Sequence, residues 1–274
     1  MTKGPIGIFD SGYGGLTVFR AIADKLPQYD YIYLGDNARA PYGTRSFETV
    51  YEYTLECVKW FFEQGCPLVI LACNTASAKA LRSIQQKDLP TLAPDRRVLG
   101  VIRPTAEVIG SQSQTKKVGV LATKGTVNSQ SYPIEIGHFS PEVEIFQQAC
   151  PLWVPLIENN EYKNAGATYF IEKEIKALLY QSDQIDTVLL ACTHYPIIAD
   201  QISRFLPSSV KLVSQGDIVA GSLADYLRRH DNMEDRLIKT GTKKFFTTDD
   251  ASDFENHASL FFGENVHATQ IKLS

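Results

Sequence analysis

The sequence predicts an α/β protein of two similar lobes, each a mainly parallel sheet flanked by helices, with its active site in the cleft between them. Three observations carry that prediction. Short apolar runs alternate with amphipathic stretches along the chain, the pattern of parallel sheets covered by helices on both faces. KVGVLAT at 117–123 repeats the form of IGIFDS at 6–11. VILACNTAS at 69–77 is nearly copied by VLLACTHYP at 188–196, so Cys73 and Cys192 stand at corresponding places, each directly after a buried-type strand. The intervals between the two pairs of segments differ, as expected of a diverged duplication with loops of unequal length rather than a tandem solenoid. The bland alternative is that buried strands of α/β proteins simply look alike.

Taken in order, Ile6–Phe9 reads as the first strand, Leu16–Lys25 as a helix and Tyr31–Leu34 as the second strand. Ser46–Gln64 predicts a long helix, because Phe47, Val50, Tyr51, Thr54, Leu55, Val58, Phe61 and Phe62 follow the i, i+3, i+4 spacing of one buried face. Leu68–Ala72 reads as a strand and Ala76–Gln86 as a helix. The pattern restarts near Val98, where LGVI leads into a helix around Pro104–Gly110. Lys117–Thr123 and Val143–Gln147 read as strands, Ala165–Gln181 as a long helix, and Thr187–Ala191 as the strand carrying the second cysteine. Beyond Pro207 come a strand at Val210–Val213, a helix at Ile218–Arg229, a polar stretch at His230–Lys244 and a strand–helix–strand tail ending at Leu273. This tail belongs to neither repeat and is expected to return to the first sheet, with Asp231–Thr242 as an exposed loop. The lobes are accordingly assigned to 1–98 with 208–274, and to 99–207.

The bulk properties narrow the function. The chain has 274 residues, 44% of them hydrophobic and 21% charged, enough apolar material for real cores and too much for wholesale disorder. The net charge is −4 and there is no long basic run, which argues against nucleic acid as the primary partner. No apolar run reaches the roughly 18–20 residues of a membrane span, and no signal-peptide core precedes IGIFD, so no membrane partner and a soluble, cytoplasmic protein are expected. The five cysteines are odd in number and irregularly spaced, which argues against a disulfide framework.

Ligands of open α/β sheets bind beyond the carboxyl ends of the strands. Four strand ends concentrate polar and glycine residues: Asp10–Gly15, then Gly35–Asn37 running on to Pro41–Thr44, Cys73–Thr75, and Cys192–His194. All four are expected on one rim. The glycine cluster fails the dinucleotide fingerprint, since Thr17 stands where the third glycine is required. Its backbone N–H groups would still suit a small anion. Each of Cys73 and Cys192 stands at a strand-to-helix junction, where a helix N-terminus favours a thiolate. Asp10 and His194 are possible proton handlers beside them. Two thiols, one ionised and one not, could remove a proton from one face of a carbon and return it to the other, a logic needing no metal and no organic cofactor. Zinc ligation by the same four residues is the competing reading, and no close Cys-x-x-Cys or His-x-x-x-His spacing supports it. Cys57, Cys66 and Cys150 read as core residues, and His138, His230, His257 and His267 as surface or capping residues.

IGIFDSGYGGLTV (6–18), YLGDNARAPYGTRS (33–46), VILACNTAS (69–77), CPLWVPLIE (150–158) and LLACTHYP (189–196) together resemble the cofactor-independent aspartate/glutamate racemase family, and most closely its glutamate racemases. The resemblance implies interconversion of L- and D-glutamate by two bases without a cofactor, supplying D-glutamate for peptidoglycan. It implies that Cys73 takes the α-proton of D-glutamate, assisted by Asp10, and that Cys192 takes that of L-glutamate, assisted by His194. Glu158 is expected to support His194, with Glu161 close enough to compete. Asp10, Ser11, Tyr42, Gly43, Asn74, Thr75, Thr193 and His194 are expected to bind substrate, with Thr123, the counterpart of Ser11, as a further candidate. A homodimer is the expected assembly, although composition does not say which helix faces would pair. One segment departs from the pattern: the family commonly shows an acidic residue and a serine after its late strand, where this chain has Val213-Ser214-Gln215-Gly216. Racemisation of aspartate, a non-catalytic receptor for an acidic ligand and a zinc hydrolase are the competing functions.

Overall fold

A computed structural model describes residues 3–273. Ten strands form two sheets: β1 (Ile6–Asp10), β2 (Tyr31–Gly35), β3 (Leu68–Leu71), β4 (Arg97–Gly100), β5 (Lys117–Ala122), β6 (Glu144–Ala149), β7 (Thr187–Ala191), β8 (Lys211–Val213), β9 (Lys243–Thr247) and β10 (Ala268–Gln270). The first sheet runs β10-β9-β2-β1-β3-β4 and the second β6-β5-β7-β8, with every ladder parallel. The second order is that of β2-β1-β3-β4 strand for strand. The duplication inferred from the cysteine peptides is thus a repeat of four strands and their connections.

That equivalence corrects the expected lobe boundaries. LGVI was expected to open the second lobe, but β4 pairs with β3 and closes the first repeat. The strand after Pro207 was expected to return to the first sheet, but β8 pairs with β7 and closes the second. The return begins only at the helix Gly216–Arg229, and β9 and β10 then extend the first sheet beyond β2. The stretch expected as an exposed loop holds a short helix, Asp231–Glu234, with Met233 and Leu237 buried and Leu237 bridged to Gly4. The helix expected over Ala76–Gln86 starts earlier, at Asn74, and gives way after Lys79 to a short helix and a π-turn.

Both faces of β1 are covered, which is why it reads as an unbroken apolar run. Ile6 and Ile8 face one cluster with Leu16, Phe19 and Ile22, while Phe9 faces another with Val50, Val58 and Phe61. The first cluster continues through Val101, Tyr195 and Ile198 to Val188, Leu190 and the helix Ala165–Gln181, so apolar packing is continuous between the sheets. Gly7 and Gly119 are equivalent, and each lets a long helix press on its strand. A Cβ would lie 2.6 Å from Phe61 at Gly7 and 2.8 Å from Leu178 at Gly119. Among the described residues no helix is long and apolar enough to cross a membrane.

Candidate active site

In each sheet the chain leaves the first strand to one side and returns on the other, so the edge between β1 and β3, and between β5 and β7, is a switch point where ligands bind. Phe9 pairs with Leu71, and two residues further on each strand the same register brings Ser11 beside Cys73. The Ser11 hydroxyl and Cys73 sulfur are 3.5 Å apart. Ala122 pairs with Ala191, which brings Thr123 beside Cys192. The polar strand ends therefore lie on two rims, three on the first sheet and one on the second, rather than on one.

Cys73 caps the helix Asn74–Lys79, its sulfur accepting the Ala76 N–H at 3.5 Å. Burial, reinforced by the Asp10 carboxylate, nevertheless pushes its thiol up to about 12, over the opposing Ser11 and Ala76 hydrogen bonds. Asp10 is fully buried. Its Oδ1 accepts the Gly12 N–H at 2.9 Å, and the Gly15 N–H also points to it. The glycine turn thus binds the chain's own carboxylate rather than presenting those amides to a ligand. Thr193 reaches across from the second sheet to donate to Asp10 Oδ2 at 3.4 Å. Burial raises the Asp10 pKa despite the counter-pull of His194 and of the two amides.

On the other rim, His194 Nδ1 lies 3.9 Å from the Cys192 sulfur and Nε2 lies 2.8 Å from Glu158 Oε1. Burial opposes the imidazolium, but its hydrogen bonds to Cys192 and Glu158 and the Glu158 charge outweigh that cost and hold His194 well above the ordinary histidine range. Glu158 ends the helix Trp153–Glu158, which docks by packing Trp153 edge-on against Tyr195, ring centroids 4.9 Å apart. Glu161 is turned to Asn164 instead. Phe261, from the C-terminal helix Ala251–Phe262, meets the His194 ring edge-on at 5.3 Å.

Both sulfurs line one cavity. Of the residues expected at the site, Ser11, Tyr42, Gly43, Cys73, Asn74, Thr75, Thr123, Glu158, Cys192, Thr193 and His194 line it. Asp10 does not, and stands behind Thr193. The Tyr42 hydroxyl is turned to the buried Asp36 carboxylate, to which it donates. Thr75 and Thr123 meet across the cavity, oxygens 3.0 Å apart. Cys150, Pro151, Val154, Pro155 and the exposed Lys124 also form its wall, and sequence reasoning passed over them. For Cys150–Pro155 the signal was adjacency to Glu158 within a motif already quoted. Among the described residues no three His, Cys, Asp or Glu side chains converge as a metal site.

Comparison with known proteins places this geometry. The model of the Asp/Glu/Hydantoin racemase family matches residues 14–222. The glutamate racemase of Roseobacter denitrificans is 39% identical over 95% of this chain and 97% of its own, and that of Streptococcus suis 35% identical over the whole of both. The crystal structure of a glutamate racemase from Bacillus anthracis superposes with a TM-score of 0.89 at 31% identity, covering 100% of this chain and 99% of the other. That of the Francisella tularensis glutamate racemase in complex with D-glutamate gives 0.87 at 30% identity, with the same coverage. A shared strand order, a doubled cysteine rim and full-length similarity lead to one conclusion: the chain belongs to the Asp/Glu/Hydantoin racemase family.

Proposed function

We propose that the protein interconverts L- and D-glutamate with Cys73 and Cys192 as its two bases. The supporting observation is that two cysteines at equivalent strand ends line one cavity, Cys73 beside the buried Asp10 carboxylate and Cys192 beside His194. Cys73 is held as a thiol. Cys192 faces a histidine held in its charged form, so a sulfur anion there has a cation 3.9 Å away.

With L-glutamate bound, the Cys192 thiolate removes the α-proton and becomes a thiol. The Cys73 thiol then delivers its proton to the opposite face of the carbanion, giving D-glutamate and a Cys73 thiolate. The reverse reaction starts from that second state. Asp10, close to Cys73 but outside the cavity, exchanges protons on that side, and His194, steadied by Glu158, on the other. Ser11, Gly43, Asn74, Thr75, Thr123 and Thr193 offer the donors for the two carboxylates. Fixed donors in a largely buried site stabilise developing negative charge more than water does. The relatives' names support glutamate over aspartate, and supply of D-glutamate for peptidoglycan is the role we infer.

Proton NMR of the protein with L-glutamate in D2O, alongside optical rotation and without pyridoxal phosphate, tests this reading. Loss of the α-proton signal with decay of rotation to zero is expected. Exchange with aspartate alone would change the substrate, and exchange with neither would overturn the proposal.

A further inference from the structure

Gln215 lies in the short segment between β8 and the helix Gly216–Arg229, within the stretch that departs from the family pattern. It is 3% exposed, and its amide is the centre of a closed polar network. Its Nε2 donates to Thr105 Oγ1 at 2.8 Å and to the Tyr132 hydroxyl at 2.7 Å, with the Val101 carbonyl at 3.3 Å. Its Oε1 accepts from Asn74 Nδ2 at 2.7 Å. The Tyr132 hydroxyl in turn donates to Asn74 Oδ1 at 2.6 Å.

The network has one direction. The Thr105 hydroxyl gives its only proton to the Val101 carbonyl, 3.0 Å away, so toward Gln215 its oxygen accepts. The end of Gln215 facing Thr105 must therefore be the NH2 group, and the end facing Asn74 must be the oxygen. Asn74 must then turn its own NH2 toward Gln215 and its oxygen toward Tyr132. One Nδ2 proton is used by Gln215. The other has no acceptor among the described residues, and Asn74 lines the cavity directly after Cys73. We infer that Gln215 is a positioning residue that fixes the Asn74 amide so that it presents a donor, never an acceptor, to a carboxylate of the substrate. It does so from the chain segment that links the second sheet to the first, with partners on helices of both repeats.

This inference rests on the glutamate racemase reading above, so racemisation by the wild-type protein is measured first, and its absence overturns both. Gln215→Leu removes the amide at similar size, and Gln215→Glu keeps the shape but cannot donate to Thr105 and Tyr132 when ionised. Gln215→Leu leaves the Asn74 NH2 without its acceptor and is the decisive variant, whereas Gln215→Glu still accepts from Asn74 and is expected to stay closer to wild type. In Gln215→Leu, KM for glutamate is expected to rise about tenfold to a hundredfold, as for loss of an oriented hydrogen bond to a charged group, while kcat changes far less. In an Asn74→Ala background, which already lacks the positioned amide, Gln215→Leu is expected to leave KM within about twofold. Folding is checked by circular dichroism and thermal unfolding. Tyr132→Phe, which frees Asn74 Oδ1 only, is the second probe if Gln215→Leu fails to fold, and is expected to raise KM severalfold. A folded Gln215→Leu enzyme with wild-type KM overturns the inference, as does a full additional loss on top of Asn74→Ala. So does wild-type KM in Tyr132→Phe when Gln215→Leu does not fold.

Discussion

A methyl group at Gly14 would lie 2.3 Å from Nδ1 of His194 and 2.4 Å from Oγ1 of Thr193. The Gly14 backbone is helical, with φ of −58°, so glycine is required there by space and not by conformation. The glycine turn of the first repeat is the floor against which the second repeat sets its histidine. Gly14→Ala is expected to leave the fold intact and to move His194 and Thr193 away from the cavity. A displacement near 1 Å at a reacting group lowers the rate on the order of 10²-fold, and steady-state racemisation kinetics with thermal unfolding as control would measure it.

Glu158→Gln keeps a hydrogen-bond partner for His194 Nε2 and removes its charge. The native His194 pKa is raised, so it holds its proton past the ordinary value. The stability this lends is fully present below about 6.5 and is lost as pH rises through the native value. In the variant the native value falls. The alkaline limb of kcat/KM, which reports groups of the free enzyme, is expected to move to lower pH. NMR titration of the His194 ring should move in the same direction. An unmoved alkaline limb would remove His194 from proton handling.

Replacing either cysteine by serine is expected to cost at least about 10²–10⁴-fold in racemisation, the range for loss of a general base. Each variant keeps one of the two proposed bases, so each should retain half a reaction. With 3-chloroglutamate, removal of the α-proton and departure of chloride give an enamine that hydrolyses to an oxo acid and ammonia. The Cys73→Ser enzyme is expected to process only the L-series compound and the Cys192→Ser enzyme only the D-series. Processing of both series by either variant would contradict the assignment of one thiol to each face.

The same variants separate the two thiols by pH. Cys73 is pushed up to about 12 by burial and by Asp10, so its thiolate grows about tenfold per pH unit through neutrality. Elimination catalysed by Cys192→Ser is expected to climb with that slope from pH 7 to 9. A plateau below pH 8 would show that Cys73 is ionised more easily than its surroundings imply.

Asp186 offers a check on stability away from the cavity. Its carboxylate accepts from the Ser113 hydroxyl and from the N–H groups of Gln114 and Thr115, tying the end of the helix Ile102–Gln112 to the start of β7. Burial pulls its pKa upward, but these donors prevail and lower it to about 2. The stability it provides is present above about 3.9 and is lost as pH falls toward 2. Asp186→Asn is expected to lower Tm by about 2–4 °C for each lost kcal/mol, with wild-type kcat and KM.

What could be read from the sequence follows from what is local. β1, β3, β5 and β7 are buried on both faces and stand out as apolar runs, and the long helices Phe47–Glu63 and Ala165–Gln181 were expected within a residue. Cys73, Cys192 and their neighbours were visible because they directly follow such strands. The membership of β4 and β8 was not, because it depends on pairing with strands far away in the chain. The short helices Lys124–Ser129 and Ser131–Phe139 were passed over because the first is mostly small and polar and Gln130 separates them in a left-handed conformation. The direction of the Tyr42 hydroxyl and the role of Gln215 were equally hidden, since their partners are set by the assembled fold. Gln215 stands in the segment that departs from the family pattern, but nothing local ties it to Asn74 and Tyr132 until the fold brings them to it.

The shared strand order of the two sheets has a chemical consequence. A carbanion is flat and its two faces are mirror images, but a chain of L-residues cannot be its own mirror image. Repetition is the nearest approach available: it supplies the same atom, sulfur, on both rims and leaves the surroundings unequal, with a carboxylate on one and an imidazolium on the other. Thermodynamics allows that inequality only a limited expression. Enantiomers are equal in free energy, so kcat/KM must be identical in the two directions at every pH, and the lopsidedness of the site can appear only in how each direction divides that ratio between turnover and saturation.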